Sequence, residues 1–334
     1  MLKGLALTPP VVGRIAIGKV VVKDGKRLPE KDDEFTITTQ VQGRNGWVLH
    51  PLDGRLRKAG AAGIKLRAIP VRLLFDDPDL NLRANYSVFD RATGRPLCVG
   101  NGEICRRAAP SGVQSLPCPS PEGCELGAKS GCKPYARLNV RIVDKDAKED
   151  SKAEIPGDEL GSFIFRTTGF NSIRSLAARL RYFQALSGNH LSALPLELRL
   201  RGKSTTQSHR APIYYVDLTV RTGSSLAQAL QAAHVEVQAR QASGFDQAAL
   251  DQVAREGFAA GAFEESVEEG AAVVEEFFPE DANGADASAH RAPDAVTRPN
   301  HDRRALGAKL QRLVRSNGGA PVNTGEETPH ASSG

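Results

Sequence analysis

The chain reads as an α+β protein. It should have a mostly antiparallel β-sheet body with a few helices, a cysteine-rich zinc-stapled insertion and a disordered C-terminal tail. Three observations predict this. Strand-like runs dominate the first 222 residues, one long segment inside them has helical periodicity, and four of the five cysteines fall between residues 105 and 132.

The strand-like runs cover 11–22, 35–41, 64–75, 81–89, 137–143, 162–166, 194–200 and 213–220. In Lys65-Leu66-Arg67-Ala68-Ile69 and Leu196-Glu197-Leu198-Arg199-Leu200 the apolar side chains recur at every second residue, as a sheet with one wet face requires. Asp24-Gly25, Asn45-Gly46, Asp53-Gly54, Asp76-Asp77-Pro78 and Thr93-Gly94 are turn signals between runs. Residues 81–90 and 96–100, joined across Arg91-Ala92-Thr93-Gly94-Arg95, read as a hairpin.

A helix is expected over 171–186, capped by Asn171 and stopped by Ser187-Gly188-Asn189. Ile173, Leu176, Ala177, Leu180 and Phe183 form its apolar stripe, and Arg174 and Arg181 share another face. A second helix begins at Ser224 or Ser225 and runs to about Gln241, and a third covers 245–257.

Composition divides the chain at about residue 222. Every tryptophan, tyrosine and cysteine lies before residue 220. The domain reading is therefore a β-rich body over 1–222, a helical segment over 223–280 that is rich in Ala and Gln and then in Glu, and a tail over 281–334. Within the tail, 301–316 is short, basic and amphipathic, and suits a docking helix or a nucleic-acid arm. Charge is unevenly placed. Residues 1–245 carry 36 Lys and Arg against 23 Asp and Glu, residues 246–286 carry 12 acids against Arg255 alone, and 287–334 carry 7 bases against 4 acids. A basic body points to nucleic acid or to an acidic protein partner, or to a surface that the acidic segment neutralises. In 263–278 aromatics alternate with glutamates, which suits a segment that orders on a partner or a flexible linker.

The cysteines Cys105, Cys118, Cys124 and Cys132 follow the spacing C-x12-C-x5-C-x7-C. Pro117, Pro119, Pro121, Gly123, Gly127, Gly131 and Pro134 interrupt this stretch, so neither a regular helix nor a regular strand is expected there. So few apolar residues cannot hold a shape by burial, whereas four thiolates on one Zn2+ can. An iron–sulfur cluster is the lesser metal reading, and disulfides are the competing use of an even set of thiols. The start MLKGLALTPPVVGR has no apolar signal-peptide core and no apolar run nears ~20 residues, so a cytoplasmic protein without a membrane span is expected, where thiols stay reduced. Cys98, in the strand-like PLCVG, reads as a packed small hydrophobe that can still replace one of the four ligands.

Few motifs point to catalysis. Arg201-Gly202-Lys203-Ser204-Thr205 resembles the end of a phosphate loop, but Glu197 stands where the first glycine is needed. Residues 201–208 then read as a basic loop, in which Arg201, Lys203 and Arg210 can contact phosphate. There is no GxSxG, HExxH or GxGxxG, and no two of the seven histidines stand at ligand spacing. Asp76, Asp77 and Asp79 read as a capped turn rather than a cation site.

The segments LKGLALTPPVVGRIAIGK, PVRLLFDDPDLNLRANYSVFDRATGRPLCVGNGEIC, CPSPEGCELGAKSGCKPYARLNV and GSFIFRTTGFNSIRSLAARL resemble the recombination directionality factor-like family of phages and integrative elements. Some proteins of this kind also carry the loose label "hydrolase or metal-binding protein". The resemblance covers residues 1–220 and implies a non-catalytic regulatory protein. Its partner is a large serine integrase on DNA, a site-specific recombinase that such factors bias toward excision. It also implies a structural-metal role for Cys105, Cys118, Cys124 and Cys132. The alternative reading is a basic DNA-binding accessory protein using Arg174, Arg181, Arg201, Lys203 and Arg210, with a steep salt dependence. A metal-dependent hydrolase is the third. A catalytic zinc usually keeps an open position, and a four-thiolate set does not.

Overall fold

The computed structural model describes residues 10–23, 26–44, 46–59, 65–143, 161–204, 206, 212–260, 270, 273–274 and 277–278. The stretch 301–316, the rest of the tail, Asp24-Gly25, His209 and Arg210 lie outside the described residues.

The architecture is α+β, and the described residues form twelve strands in a mostly antiparallel sheet system and six α-helices. The strands are β1 (Val11–Lys23), β2 (Lys26–Gly43), β3 (Gly46–Leu49), β4 (Ala68–Arg72), β5 (Leu82–Phe89), β6 (Pro96–Gly100), β7 (Ile104–Ala109), β8 (Gly112–Pro117), β9 (Lys133–Ile142), β10 (Ser162–Thr167), β11 (Leu196–Lys203) and β12 (Ile213–Val220). The helices are α1 (Pro51–Ala59), α2 (Pro78–Asn81), α3 (Glu125–Ser130), α4 (Phe170–Leu186), α5 (Leu226–Ala242) and α6 (Gln247–Ala260). The main sheet has the order β3-β2-β1-β10-β9-β5-β6-β7-β8. Through β4, which pairs with both β9 and β11, it branches into β4, β11 and β12. The β1–β10 pairing is parallel and every other one is antiparallel.

Alternation decides which face is buried. Ile15, Phe35, Ile37, Phe163, Phe165, Leu138, Val140 and Leu82 turn inward, where they meet Ile69 and Val71 of β4, Leu196 and Leu198 of β11, and Leu218 of β12. Gly13 permits the close β1–β10 approach, since a Cβ there would stand 2.5 Å from Phe163 Cε1 and 2.6 Å from the Thr38 carbonyl. Ile173, Leu176, Leu180 and Phe183 of α4 close the core, with Ala177 packed at its edge. The Ser172 hydroxyl accepts from the Val216 amide at 3.0 Å, tying α4 to β12.

Several expectations are corrected in detail. The run 64–75 does not form one strand: β4 ends at Arg72. The Asn81 side chain there replaces a strand partner, accepting from the Leu74 and Phe75 amides at 3.0 and 3.1 Å and donating to the Phe75 carbonyl at 2.7 Å. Asp53-Gly54 is not a turn but lies inside α1. Asp53 is buried, accepting from the Ile37 amide at 2.9 Å and from Arg57 Nε at 2.6 Å. The cap of α4 is Gly169, with no side-chain cap bond, because Asn171 sits in the first turn and accepts from Lys203 Nζ at 2.6 Å. The supposed loop from Arg201 continues β11 as far as Lys203, which pairs with Ile213. Asp77 does cap a local element, accepting from the Asp79 amide at 2.9 Å at the start of α2.

The helices beyond the body pack back on it. α5 starts at Ser225 with a complete capping box to Gln228 and buries Ala229 and Ala233. On α6, Leu250, Ala254 and Phe258 pack against Leu74, Phe75 and Leu80. The Asp251 carboxylate accepts from the Asp76 and Asp77 amides at 3.0 and 3.1 Å. No described helix is long and apolar enough to cross a membrane.

Candidate metal centre

The cysteine stretch is regular, against expectation. Asn101-Gly102 makes a tight turn between β6 and β7. The Asn101 side chain accepts from the Glu103 and Ile104 amides at 2.9 and 2.8 Å, and Gly102 adopts φ +100°. Pro110, Ser111 and Gly112 then turn β7 into β8, with Gly112 at φ +110°. Gly102, Pro110 and Gly112 thus mark the corners of a meander, while Pro117 and Pro134 are accommodated at the ends of paired strands.

The β6–β7 register sets Gly100 opposite Cys105 and Cys98 opposite Arg107. Cys98 and Cys105 therefore lie diagonally on one face of adjacent strands. Cys118 follows β8, its amide donating to the Glu103 carbonyl at 2.8 Å. Gly100 keeps the space between them open. A Cβ on it would stand 2.7 Å from Cys105 Cβ and 2.8 Å from Cys118 Sγ.

The other two thiols bracket α3. The Cys124 sulfur caps the helix, accepting from the Gly127 amide at 3.4 Å. Gly131 closes the helix in the left-handed conformation, φ +69°, after which the Cys132 amide donates to the Gly127 carbonyl at 3.1 Å. Gly127 nests between the two cysteines, where a Cβ would come within 3.2 Å of either Cβ and 2.9 Å of the Pro121 carbonyl.

All five cysteines line a single enclosed cavity of about 10 Å³, together with Gly100, Arg107, Leu126 and Gly127. That volume matches roughly one water-sized sphere. Val88, Leu97, Leu116 and Leu126 pack around the sulfurs. Arg107 Nη2 donates to Cys124 Sγ at 3.5 Å. Burial pushes the Cys132 thiol up to about 12, and the neighbouring thiols Cys98, Cys118, Cys124 and Cys105 add to the rise. Burial and then Cys98 push Cys105 up to about 11. Cys124 is held low by the Gly127 amide, then the Leu126 amide and Arg107. Thiolates this close penalise one another, so ionising several together requires a cation among them.

The donors suit a soft ion in kind, number and enclosure. Among the described residues, no three His, Cys, Asp or Glu side chains already stand as a ligand set around one point, so the sulfurs would have to draw in around an ion. The sequence leaves Cys98 as a packed small hydrophobe able to replace one of the four ligands and gives Arg107 no role, whereas both line the same cavity as the other cysteines. The Asn101-Gly102 turn was the available signal, because its hairpin register sets Cys98 beside Cys105 and opposite Arg107.

Of the basic residues singled out from sequence, Arg174, Arg181, Arg201 and Lys203 are among the described residues. Arg174 and Arg181 are exposed on α4, and Arg181 Nη2 lies 3.6 Å from Asp79 Oδ1. Arg201 Nε donates to Asp217 at 2.6 Å, and Lys203 is held by Asn171.

One comparison with known proteins finds a family, and its description points to a role in DNA recombination. The Gp3-like family, described as recombination directionality factor-like, matches residues 12–221, and the chain belongs to that family. The matched span covers β2 to β12 and all of β1 but Val11, includes all five cysteines and ends just before α5. No curated protein and no solved structure matches the chain.

Proposed function

We propose that this chain is a non-catalytic regulator from a mobile element that binds a site-specific serine recombinase and biases it toward excision. The family match over 12–221 carries the reading. In physical terms the protein is a ligand for one of two recombinase conformations, and it shifts their balance only by its difference in affinity for them. Its place of action is the cytoplasm, where thiols stay reduced.

In the same reading, Cys105, Cys118, Cys124 and Cys132 hold a structural zinc ion. Cys98 and Arg107 lie against them as a fifth sulfur and a fixed positive charge. Held by these cysteines, an ion would supply positive charge for their thiolates, and the four residues would tie β7, the end of β8, α3 and the start of β9 together. The chain's own contribution is to fix the ligand positions through the Asn101-Gly102 turn and the α3 cap.

Two measurements test this. A purified cognate recombinase with excision and integration substrates should excise only when the protein is added, and equal excision without it would refute the reading. Elemental analysis should find about one zinc per chain, lost in Cys118→Ser together with cooperative unfolding. A metal-free, fully folded wild type would refute the zinc assignment and leave the recombination reading intact.

A further inference from the structure

Phe89 and Tyr135 point away from the cysteine cavity. Val88 faces the sulfurs, and its neighbour Phe89 faces the other side of β5. There Phe89 and Tyr135 stack edge to face at 5.1 Å. Phe277 packs against both rings, 4.8 Å from Phe89 and 5.9 Å from Tyr135. Val273 and Phe277 have no exposed surface. Lys133 Nζ lies 4.6 Å above the Phe277 ring, and Arg91 Cζ lies 4.6 Å above the Phe278 ring. Gly270 meets the turn at Gly94 so closely that a Cβ on Gly94 would collide with the Gly270 carbonyl.

Gly270, Val273, Val274 and Phe277 are helical and follow the spacing i, i+3, i+4, i+7. This is how an amphipathic helix anchors in a groove. Glu268, Glu269, Glu275 and Glu276 flank these anchors in sequence, within a stretch of net charge −11 over 246–286. The groove residues Phe89, Arg91, Lys133 and Tyr135 all lie within the family-matched span, and the occupant lies outside it.

We propose that the Phe89–Tyr135 face is a docking site for an acidic amphipathic helix with paired aromatic residues on a partner protein, and that Gly270, Val273, Val274, Phe277 and Phe278 occupy it in cis as an internal competitor. This rests on the reading that the protein acts by binding a partner, and it adds the surface and the chemistry of what binds. Aromatic anchors pack against the stacked Phe89–Tyr135 pair, and Lys133 and Arg91 meet the ring faces and the acidic flanks. A partner helix must displace the resident one, so its apparent affinity falls by the fraction of time the groove is open.

The test needs no recombinase, so its failure is separate from failure of the recombination reading. A fluorescent peptide of sequence 264–280 is titrated into the full-length chain and followed by anisotropy. Phe277→Ala/Phe278→Ala in the protein should raise affinity roughly tenfold or more over wild type. Adding Lys133→Glu should abolish the gain, and a peptide with both phenylalanines changed to alanine should not bind. Equal affinity for the wild-type and emptied chains, or indifference to Lys133→Glu, overturns the proposal. Should the emptied chain fail to fold, the wild type decides. Excess peptide should accelerate cleavage after Glu264 and Glu265 by a glutamate-specific protease, and an unchanged rate overturns the proposal. A wild-type dimer that exchanges this segment between copies, seen by sedimentation, would assign the groove to self-association instead and equally overturn it.

Discussion

Gly100 shows how one missing side chain shapes the cysteine cluster. Its conformation is ordinary, so it is required for space and not for backbone freedom. Gly100→Ala places a methyl against Cys118 Sγ and Cys105 Cβ. Overpacking of this kind costs about 1–3 kcal/mol, which urea denaturation should report, and the same variant should lose the ion, which elemental analysis would show. Asp217 is the second residue on which much depends. Its buried carboxylate takes the Ser175 hydroxyl at 2.8 Å, Arg201 Nε at 2.6 Å and Arg179 Nε at 3.2 Å. Burial pushes its pKa up, but the bonds from Arg201, Ser175 and Arg179 outweigh that and hold it below its ordinary 3.8. A carboxyl lowered in the folded state adds stability above its unfolded pKa, and that contribution is lost as pH falls through the folded value. Wild type should therefore lose stability as pH drops below about 3.8, and Asp217→Asn should flatten that part of the profile. At neutral pH the substitution should cost roughly 2 kcal/mol.

At the scale of elements, α4 and α3 are built on different physics. α4 is held by its stripe, with Leu176 and Leu180 fully buried. Leu180→Ala should cost about 2–5 kcal/mol in chemical denaturation. Arg174→Ala, on the exposed face, should change stability by less than about 0.5 kcal/mol. α3 has six residues, and Gly127 is the only one buried. Its geometry comes from its ends, the Cys124 cap and the Gly131 stop. This is why the proline- and glycine-rich stretch was misread from sequence as irregular. Gly112, Gly102 and Gly131 adopt positive φ at corners, and the segments between corners remain free to pair. The Asn81 hydrogen bonds that end β4 early are a second case. A polar side chain bonding the Leu74 and Phe75 amides substitutes for a strand partner, and an apolar run gives no sign of it.

For the whole molecule, residues up to 284 form one compact unit. The composition break near 222 marks the end of the family-matched span, and α5 and α6 lie beyond it, packed on the body. Ala254 of α6 has no exposed surface against Leu74, Phe75 and Leu80. Ala254→Asp buries an unpaired carboxylate, which costs several kcal/mol and should release α6. Tryptic cleavage at Arg255 should then accelerate well beyond the wild-type rate, and an unchanged rate would show that α6 is not held by this contact.

The sequence by itself determined the α+β class, the strands at 82–89, 96–100, 162–167 and 213–220, and the 170–186 helix with its buried stripe. Alternation and helical period are local consequences of which face meets water, so they are written residue by residue. It also singled out four cysteines as a group, because unusual residues close in sequence need no fold to be noticed. Only the tertiary structure decided that Arg107 joins them and that Cys98 lines their cavity, that Arg201 and Lys203 face Asp217 and Asn171, and that Phe277 packs against Phe89 and Tyr135. Those pairings depend on strand register and on contacts between residues as far apart as Phe89 and Phe277. Such contacts are selected by the packing of the whole chain and leave no local pattern.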